Sequence, residues 1–269
     1  MDGDRLEREY QYFVSKIKKL TGMDLSQYKS RQMQRRLGSL LVRAGVNNYI
    51  EYYKLLENDK QALQSFLDYI TINVSEFFRN PDKFEELKKN ILPELLKRRE
   101  FLRIWSAGCA NGAEPYSVAI LMDELSGPES YSVLATDVDA SILERAKQGV
   151  YRDSDIKNVS RQRLIEYFIH DRTTSTYTVK PRIRDRVVFQ VHDLLKDPFP
   201  SDMDLILCRN VVIYFTDDAK TSLYKRFFKS LRAGGVLFVG GTEMVFGASS
   251  IGFESISPFF YRKPLADSN

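Results

Sequence analysis

From Leu6 to about Leu96 the apolar residues recur at three- and four-residue spacing with few glycines between them, which predicts a set of amphipathic helices. Inside that stretch Asn80-Pro81 reads as a helix cap and first-turn proline. After the basic run Lys97-Arg98-Arg99 the period changes. Phe101 to Ala107 is a short apolar run expected as a buried strand, with a turn from Gly108 to Gly112 and a helix starting near Glu114. Tyr131 to Thr136 predicts a second strand ending on Asp137, and Ala140 to Lys147 a second helix. Further strands are expected at Val187 to Val191, Leu205 to Cys208, Val236 to Gly240 and Phe259 to Arg262. A helix is expected from Asp217 to Leu231, capped by Thr216 and carrying Asp217 and Asp218 at its positive end.

Alternating strands and helices of this kind form an open, doubly wound parallel sheet. The interval from Gly149 to Arg186 fits no βα unit. It holds a helical piece, Arg161 to Ile169, and a polar β-rich piece, Ser175 to Val179, and reads as an insertion. The expected fold class is therefore α/β, with an all-α domain and linker at 1–96, the α/β domain at 97–269, and a small inserted β-subdomain at about 150–186.

With 269 residues and 43% hydrophobic content the chain can bury a substantial core, and a net charge of +4 is too weak to point to nucleic acid by itself. No run approaches the ~18 apolar residues of a membrane span. A cytoplasmic protein is expected. The only cysteines, Cys109 and Cys208, read as reduced packing residues, and two histidines in no ligand spacing give no metal site.

Ligands of doubly wound sheets bind beyond the C-terminal strand ends, where Gly108, Asp137, Asp193 and Arg209-Asn210 all fall. Gly108 and Gly112 allow close backbone approach, and Asp137 is placed for the two hydroxyls of a ribose. The loop is not G-x-G-x-x-G, and Glu114 at the helix start repels phosphate but suits a cationic ligand such as an amino group. This argues against a nicotinamide dehydrogenase.

Two longer segments carry a resemblance. Thr71 to Arg79 meets the pattern T-x-N-x-[ST]-x-F-[FY]-R, and Cys208 to Phe215 meets C-R-N-V-x-I-Y-F. In both the chain resembles the CheR chemoreceptor glutamate methyltransferases, from about Tyr12 to Lys263. The resemblance implies a class I S-adenosylmethionine-dependent methyltransferase, Rossmann-like, preceded by a helical domain. It implies S-adenosylmethionine as methyl donor, S-adenosylhomocysteine as product, and glutamate methyl esters on the cytoplasmic signalling helices of chemotaxis receptors. By the same resemblance Asn73, Ser75, Arg79, Glu114, Asp137, Asp193, Leu194, Arg209 and Asn210 stand at cofactor-contacting positions, beside Gly108. The family loop usually reads S-T-G-E-E-P-Y; here Ala113 replaces one acid and Glu114 is retained.

A glutamate acceptor, with a pKa of about 4.3, is already ionised at neutral pH and needs no general base. Arg79 and Tyr214 are the expected catalytic residues, Arg79 steering the carboxylate and Tyr214 orienting its oxygen. Between Leu25 and Ile50 no acid precedes Ile50, while Lys29, Arg31, Arg35, Arg36 and Arg43 interleave with Met33, Leu37, Leu40 and Leu41. Lys29, Arg36 and Arg43 repeat every seven residues and form a stripe suited to an acidic helix. The expected partner is thus the receptor signalling domain, met by a monomer without metal, nucleic acid or membrane insertion. Two alternatives are a base-flipping nucleic-acid methyltransferase, whose N/D-P-P-Y motif is replaced by Arg209-Asn210-Val211, and a non-catalytic sensor of S-adenosylmethionine or S-adenosylhomocysteine, for which Arg79 and Tyr214 have no use.

Overall fold

Helices α1 (Asp2–Thr21), α2 (Ser30–Ala44), α3 (Tyr49–Asn58) and α4 (Lys60–Ile70) begin the computed structural model, which describes residues 2–71, 75–241 and 243–265. They bury Phe13, Ile17, Leu25, Leu37 and Phe66 completely, with the Phe13 ring stacked on Tyr52 at 5.9 Å. Asn48 and Asp59 cap α3 and α4 through backbone N–H groups of their first turns, and Gly45, at φ +69°, ends α2.

These helices belong to the first of two units, which comprises residues 1–72 together with 214–220. The late segment is tied in by main-chain bonds: the Lys29 N–H donates to the Tyr214 carbonyl at 2.9 Å and the Thr216 N–H to the Gln27 carbonyl at 2.8 Å. Beside them the Tyr28 and Phe215 rings meet edge to face at 5.0 Å. Thr216 also accepts the Ala219 N–H at 3.3 Å, the cap its sequence position predicts.

The second unit comprises residues 73–213 and 221–269. It contains α5 (Pro81–Glu86), α6 (Leu92–Arg98), β1 (Leu102–Ala107), α7 (Ala113–Ser126), β2 (Tyr131–Asp137) and α8 (Ala140–Gln148). Next come β3 (Val150–Tyr151), α9 (Asp153–Ile156), α10 (Arg161–Tyr167), β4 (Phe168–Asp171), β5 (Thr176–Val179), α11 (Pro181–Arg184), β6 (Val187–Val191) and β7 (Met203–Cys208). The chain ends with α12 (Asp217–Ser230), whose first turn is in the first unit, then β8 (Leu231–Val239), α13 (Ala248–Ile251), β9 (Glu254–Ser257) and β10 (Phe260–Arg262).

The main sheet runs β6-β2-β1-β7-β8-β10-β9, with the first five strands parallel and β10 and β9 antiparallel. Its middle is apolar on both faces, and every residue of β7 is buried, as a parallel strand covered by helices requires. Antiparallel β3, β5 and β4 form a separate three-stranded sheet within residues 150–179.

The structure departs from the sequence reading in several places, among them β8, which starts at Leu231 rather than Val236. The units divide at residue 72 rather than 96, because Phe84, Leu87, Ile91, Leu92 and Leu95 of the α5 to α6 stretch share one core with Leu102 and Ile104 of β1. The helix expected to reach Ile169 stops at Tyr167, and Phe168 opens β4. Strand β9 was not foreseen, since Glu254–Ser257 lies at the sheet edge with no buried residue to make an alternation.

Candidate active site

Strand β1 ends in the turn Gly108 to Gly112, and the positions there are constrained by backbone geometry. Gly108 sits at φ +83°, and a Cβ on it would come within 2.4 Å of the Val211 side chain. The N–H groups of Gly108 and Cys109 both donate to the Thr136 carbonyl of β2, at 2.8 and 2.9 Å. Ala110 donates its N–H to Asp137 Oδ2 at 2.9 Å, so the carboxylate that closes β2 also shapes the turn after β1. The other Asp137 oxygen accepts the Asp139 N–H at 3.1 Å, and burial pushes its pKa up. Asn111 accepts the Ala113 N–H at 3.2 Å and donates to the Ser75 carbonyl at 3.1 Å. Ala113, which stands where the family loop usually has an acid, is fully buried in the core.

Glu114, in the first turn of α7, is also buried. Its carboxylate accepts from Ser106 Oγ at 2.8 Å and faces Arg209 Nη1 at 3.4 Å. Burial pushes the Glu114 pKa up, and the Arg209 charge pulls it back. Arg209 lies over the rings of Phe84 and Phe238, 5.2 and 4.6 Å from their centroids. Its Nη2 donates to the Arg79 carbonyl at 2.7 Å and to Asn80 Oδ1 at 2.8 Å. Asn80 is thus the residue before α5, at φ +62°, but its side chain serves Arg209 instead of capping the helix. The Phe78 N–H, donating to Ser117 Oγ at 3.0 Å, pins the same turn against α7.

Hydrogen bonds therefore bring Ser75, the Arg79 main chain, Glu114, Asp137 and Arg209 together around the ends of β1, β2 and β7. The end of β6 joins them through the His192 N–H, which donates to the Asp137 carbonyl at 2.9 Å. Beyond it Asp193 Oδ1 accepts the Leu195 N–H at 2.8 Å, and the buried Leu194 offers its carbonyl to Arg226. Asn210, at φ +61°, keeps a buried Oδ1 with no hydrogen-bond partner among the described residues. Asn73 lies outside the described residues. Tyr214 belongs to the first unit, with Lys29 and Arg36, while Arg31, Arg35 and Arg43 are exposed on or near α2.

Sequence reasoning missed Glu243. It is 3% exposed and accepts main-chain N–H groups from Asn210 (2.7 Å), Val212 (3.0 Å) and Gly240 (2.7 Å). This carboxylate clamps the loop after β7 to the end of β8, and the available hint was an acid just past the Gly240-Gly241 pair. A Cβ on Gly240 would stand 2.4 Å from Glu243 Oε2 and 2.8 Å from the Asn210 nitrogen. Gly240→Ala is expected to destabilise the protein by about 1–3 kcal/mol and to weaken ligand binding at Asn210, measurable by thermal unfolding and calorimetry.

Comparison with known proteins gives this arrangement a family. The model "CheR methyltransferase, all-alpha domain" matches residues 8–71, and "CheR methyltransferase, SAM binding domain" matches residues 73–258. The Listeria monocytogenes protein named chemotaxis protein methyltransferase is 42% identical over 259 residues, 96% of this chain and 98% of that one. Proteins of the same name from Borreliella burgdorferi and Salmonella typhimurium are 33% and 34% identical, over 90% and 82% of this chain and 89% and 78% of theirs. The second unit is thus a class I S-adenosylmethionine-dependent methyltransferase domain, and the chain belongs to the CheR methyltransferase family.

Proposed function

We propose that the protein esterifies glutamate side chains on the cytoplasmic signalling helices of chemotaxis receptors, working in the cytoplasm with S-adenosylmethionine as donor. The observation that carries this reading is the buried Glu114–Arg209 pair, tied to the Arg79-Asn80 turn, at the strand ends of a methyltransferase sheet. The residues suit the cofactor. Glu114 matches its ammonium group, Asp137 retains lone pairs for two ribose hydroxyls beyond those used on the turn, and Asn210 Oδ1, without a partner among the described residues, is an acceptor suited to a ligand donor.

When bound, S-adenosylmethionine supplies an electrophilic methyl group. The protein's own task is placement. The acceptor carboxylate arrives ionised, so the chain has no proton to remove from it; it must bring one oxygen into line and exclude water. Arg79 is assigned to steering that carboxylate, and the Tyr214 hydroxyl to orienting the attacking oxygen. A full buried ion pair to Arg79 would draw charge from the nucleophile, so steering at the edge of the site serves better than tight pairing. Asp193 and Leu194 complete the cofactor wall at the end of β6, with Ser75 and Gly108 at the turn. The basic residues Lys29, Arg31, Arg35, Arg36 and Arg43 are assigned to docking the acidic receptor helix.

Tyr214→Phe is expected to lower kcat by roughly 10²-fold while leaving cofactor affinity within twofold, and Arg79→Ala to lower kcat/KM at least as much. Single-turnover methyl transfer with parallel calorimetry measures both. Near wild-type turnover in both variants, with unchanged cofactor binding, refutes the catalytic assignment.

A further inference from the structure

The inserted β-subdomain touches both stretches of chain that shape the site, all within the second unit. The hydroxyl of Tyr151, in β3, donates to the Asn111 carbonyl at 2.7 Å, inside the turn after β1, and its ring meets Phe77 edge to face at 4.7 Å. Phe168 of β4 covers the same Phe77 ring at 5.1 Å. Just past β3 the Asp155 carbonyl accepts the Phe77 N–H at 2.8 Å. Asn158 Nδ2 donates to Glu76 Oε1 at 3.1 Å and to the Phe77 carbonyl at 3.4 Å. Lys157 pairs with the other Glu76 oxygen at 2.6 Å.

Both stretches that receive these contacts hold unfavourable backbone conformations. Phe78 and Asn80 flank Arg79 at φ +51° and +62°, and Ala110 and Gly112 flank Asn111 at +46° and +84°. For a residue with a side chain, a phenylalanine above all, the left-handed region is costly, so such turns persist only where their neighbours over-determine them. The insertion supplies part of that hold at each. Asn111 joins the two: its side chain donates to the Ser75 carbonyl at 3.1 Å while its own carbonyl accepts from Tyr151.

We propose that the insertion holds the site in shape, with Tyr151 the positioning residue for the cofactor turn and Asn158 the positioning residue for the segment that presents Arg79. The second assignment rests on the reading of Arg79 as steering the acceptor carboxylate; the first rests only on cofactor binding by the methyltransferase domain. Without the Tyr151 hydroxyl the Asn111 carbonyl loses its donor, and cofactor binding must then also order a strained turn. Without Asn158 the chain before Arg79 loses two hydrogen bonds, and Arg79 spends less time where it steers the carboxylate. That lowers turnover and leaves the cofactor contacts of Glu114 and Asp137 in place.

The test compares Tyr151→Phe, Asn158→Ala and Tyr116→Phe with wild type in the full chain. The readouts are calorimetric titration with S-adenosylhomocysteine, thermal unfolding, and methyl transfer to a purified receptor signalling domain. Tyr116→Phe is the control for lost stability, because the Tyr116 hydroxyl makes a comparable buried bond, to the Ala146 carbonyl of α8 at 3.0 Å, away from both strained stretches. Tyr151→Phe is expected to raise Kd about tenfold with kcat at saturating cofactor within twofold, and Asn158→Ala to lower kcat about tenfold with Kd within twofold. Tyr116→Phe should lower Tm as much as Tyr151→Phe and leave Kd and kcat within twofold. An unchanged Kd in Tyr151→Phe, or the same rise in Tyr116→Phe, overturns the Tyr151 assignment; a kcat in Asn158→Ala within twofold of wild type overturns the other. The titrations need no acceptor. A wild type that transfers nothing to the receptor therefore removes the proposed reaction and the Asn158 role with it, while Tyr151 stands or falls on Kd alone.

Discussion

Replacing Arg209 with methionine is expected to destabilise the methyltransferase unit by about 3–5 kcal/mol and to abolish cofactor binding at micromolar concentrations, because it strands the buried Glu114 carboxylate. The thioether can fill the space between Phe84 and Phe238, so the loss is electrostatic. The Arg79 carbonyl and Asn80 Oδ1 lose their donor as well, freeing the turn that presents Arg79. The sign of the pH effect follows from the carboxylate. Burial already raises the Glu114 pKa, and without Arg209 it climbs further above its unfolded value. A group shifted this way weakens the fold once pH rises through its folded pKa, so the deficit of the variant should shrink as pH is lowered. Adding Glu114→Gln should recover stability but not cofactor affinity, a separation that urea unfolding and calorimetry resolve.

Asp137→Ala is expected to weaken cofactor binding by about 10²–10⁴-fold, since two hydrogen bonds from ribose hydroxyls to a carboxylate carry about 1.5–3 kcal/mol each. The same change removes the acceptors of the Ala110 and Asp139 N–H groups, so the turn after β1 loosens too. Asp137→Asn keeps one acceptor oxygen and should lose less, about tenfold. Burial pushes the Asp137 pKa up, so wild-type affinity should fall as pH drops toward the mildly acidic range, and this slope should vanish in Asp137→Asn apart from the contribution of Glu114. Calorimetric titration across that range measures it.

Much of this was legible in the chain. Buried parallel strands are continuous apolar runs, so β1, β2, β6 and β7 could be placed within two residues, and the strand-end rule then indicated Gly108, Asp137 and Asn210. What escaped the sequence is what depends on distant partners. The sequence places Arg209 at a strand end but does not show its partners: its guanidinium is held between Phe84 and Phe238 with Glu114 and the Arg79-Asn80 turn, contacts spanning about half the chain. Glu243 gives no periodic signal, because its partners are backbone N–H groups of another loop. The seven-residue repeat of Lys29, Arg36 and Arg43 suggested one uniform charged stripe. In the fold Arg36 and Arg43 both lie over Tyr69, at 4.8 and 4.9 Å, a use of charge that only the neighbouring helix reveals. Nor does local sequence show that Tyr214 to Lys220, embedded in the methyltransferase half, pairs with Gln27 and Lys29 of the helical unit.

The product assigned to this protein is a glutamate methyl ester. The most direct test is transfer of labelled methyl from S-adenosylmethionine to a purified receptor signalling domain, followed by mild base. The expected result is label that base releases as methanol and that disappears when the acceptor glutamates are changed to alanine. Label that resists base, or no transfer by protein that calorimetry shows to bind the cofactor, contradicts it.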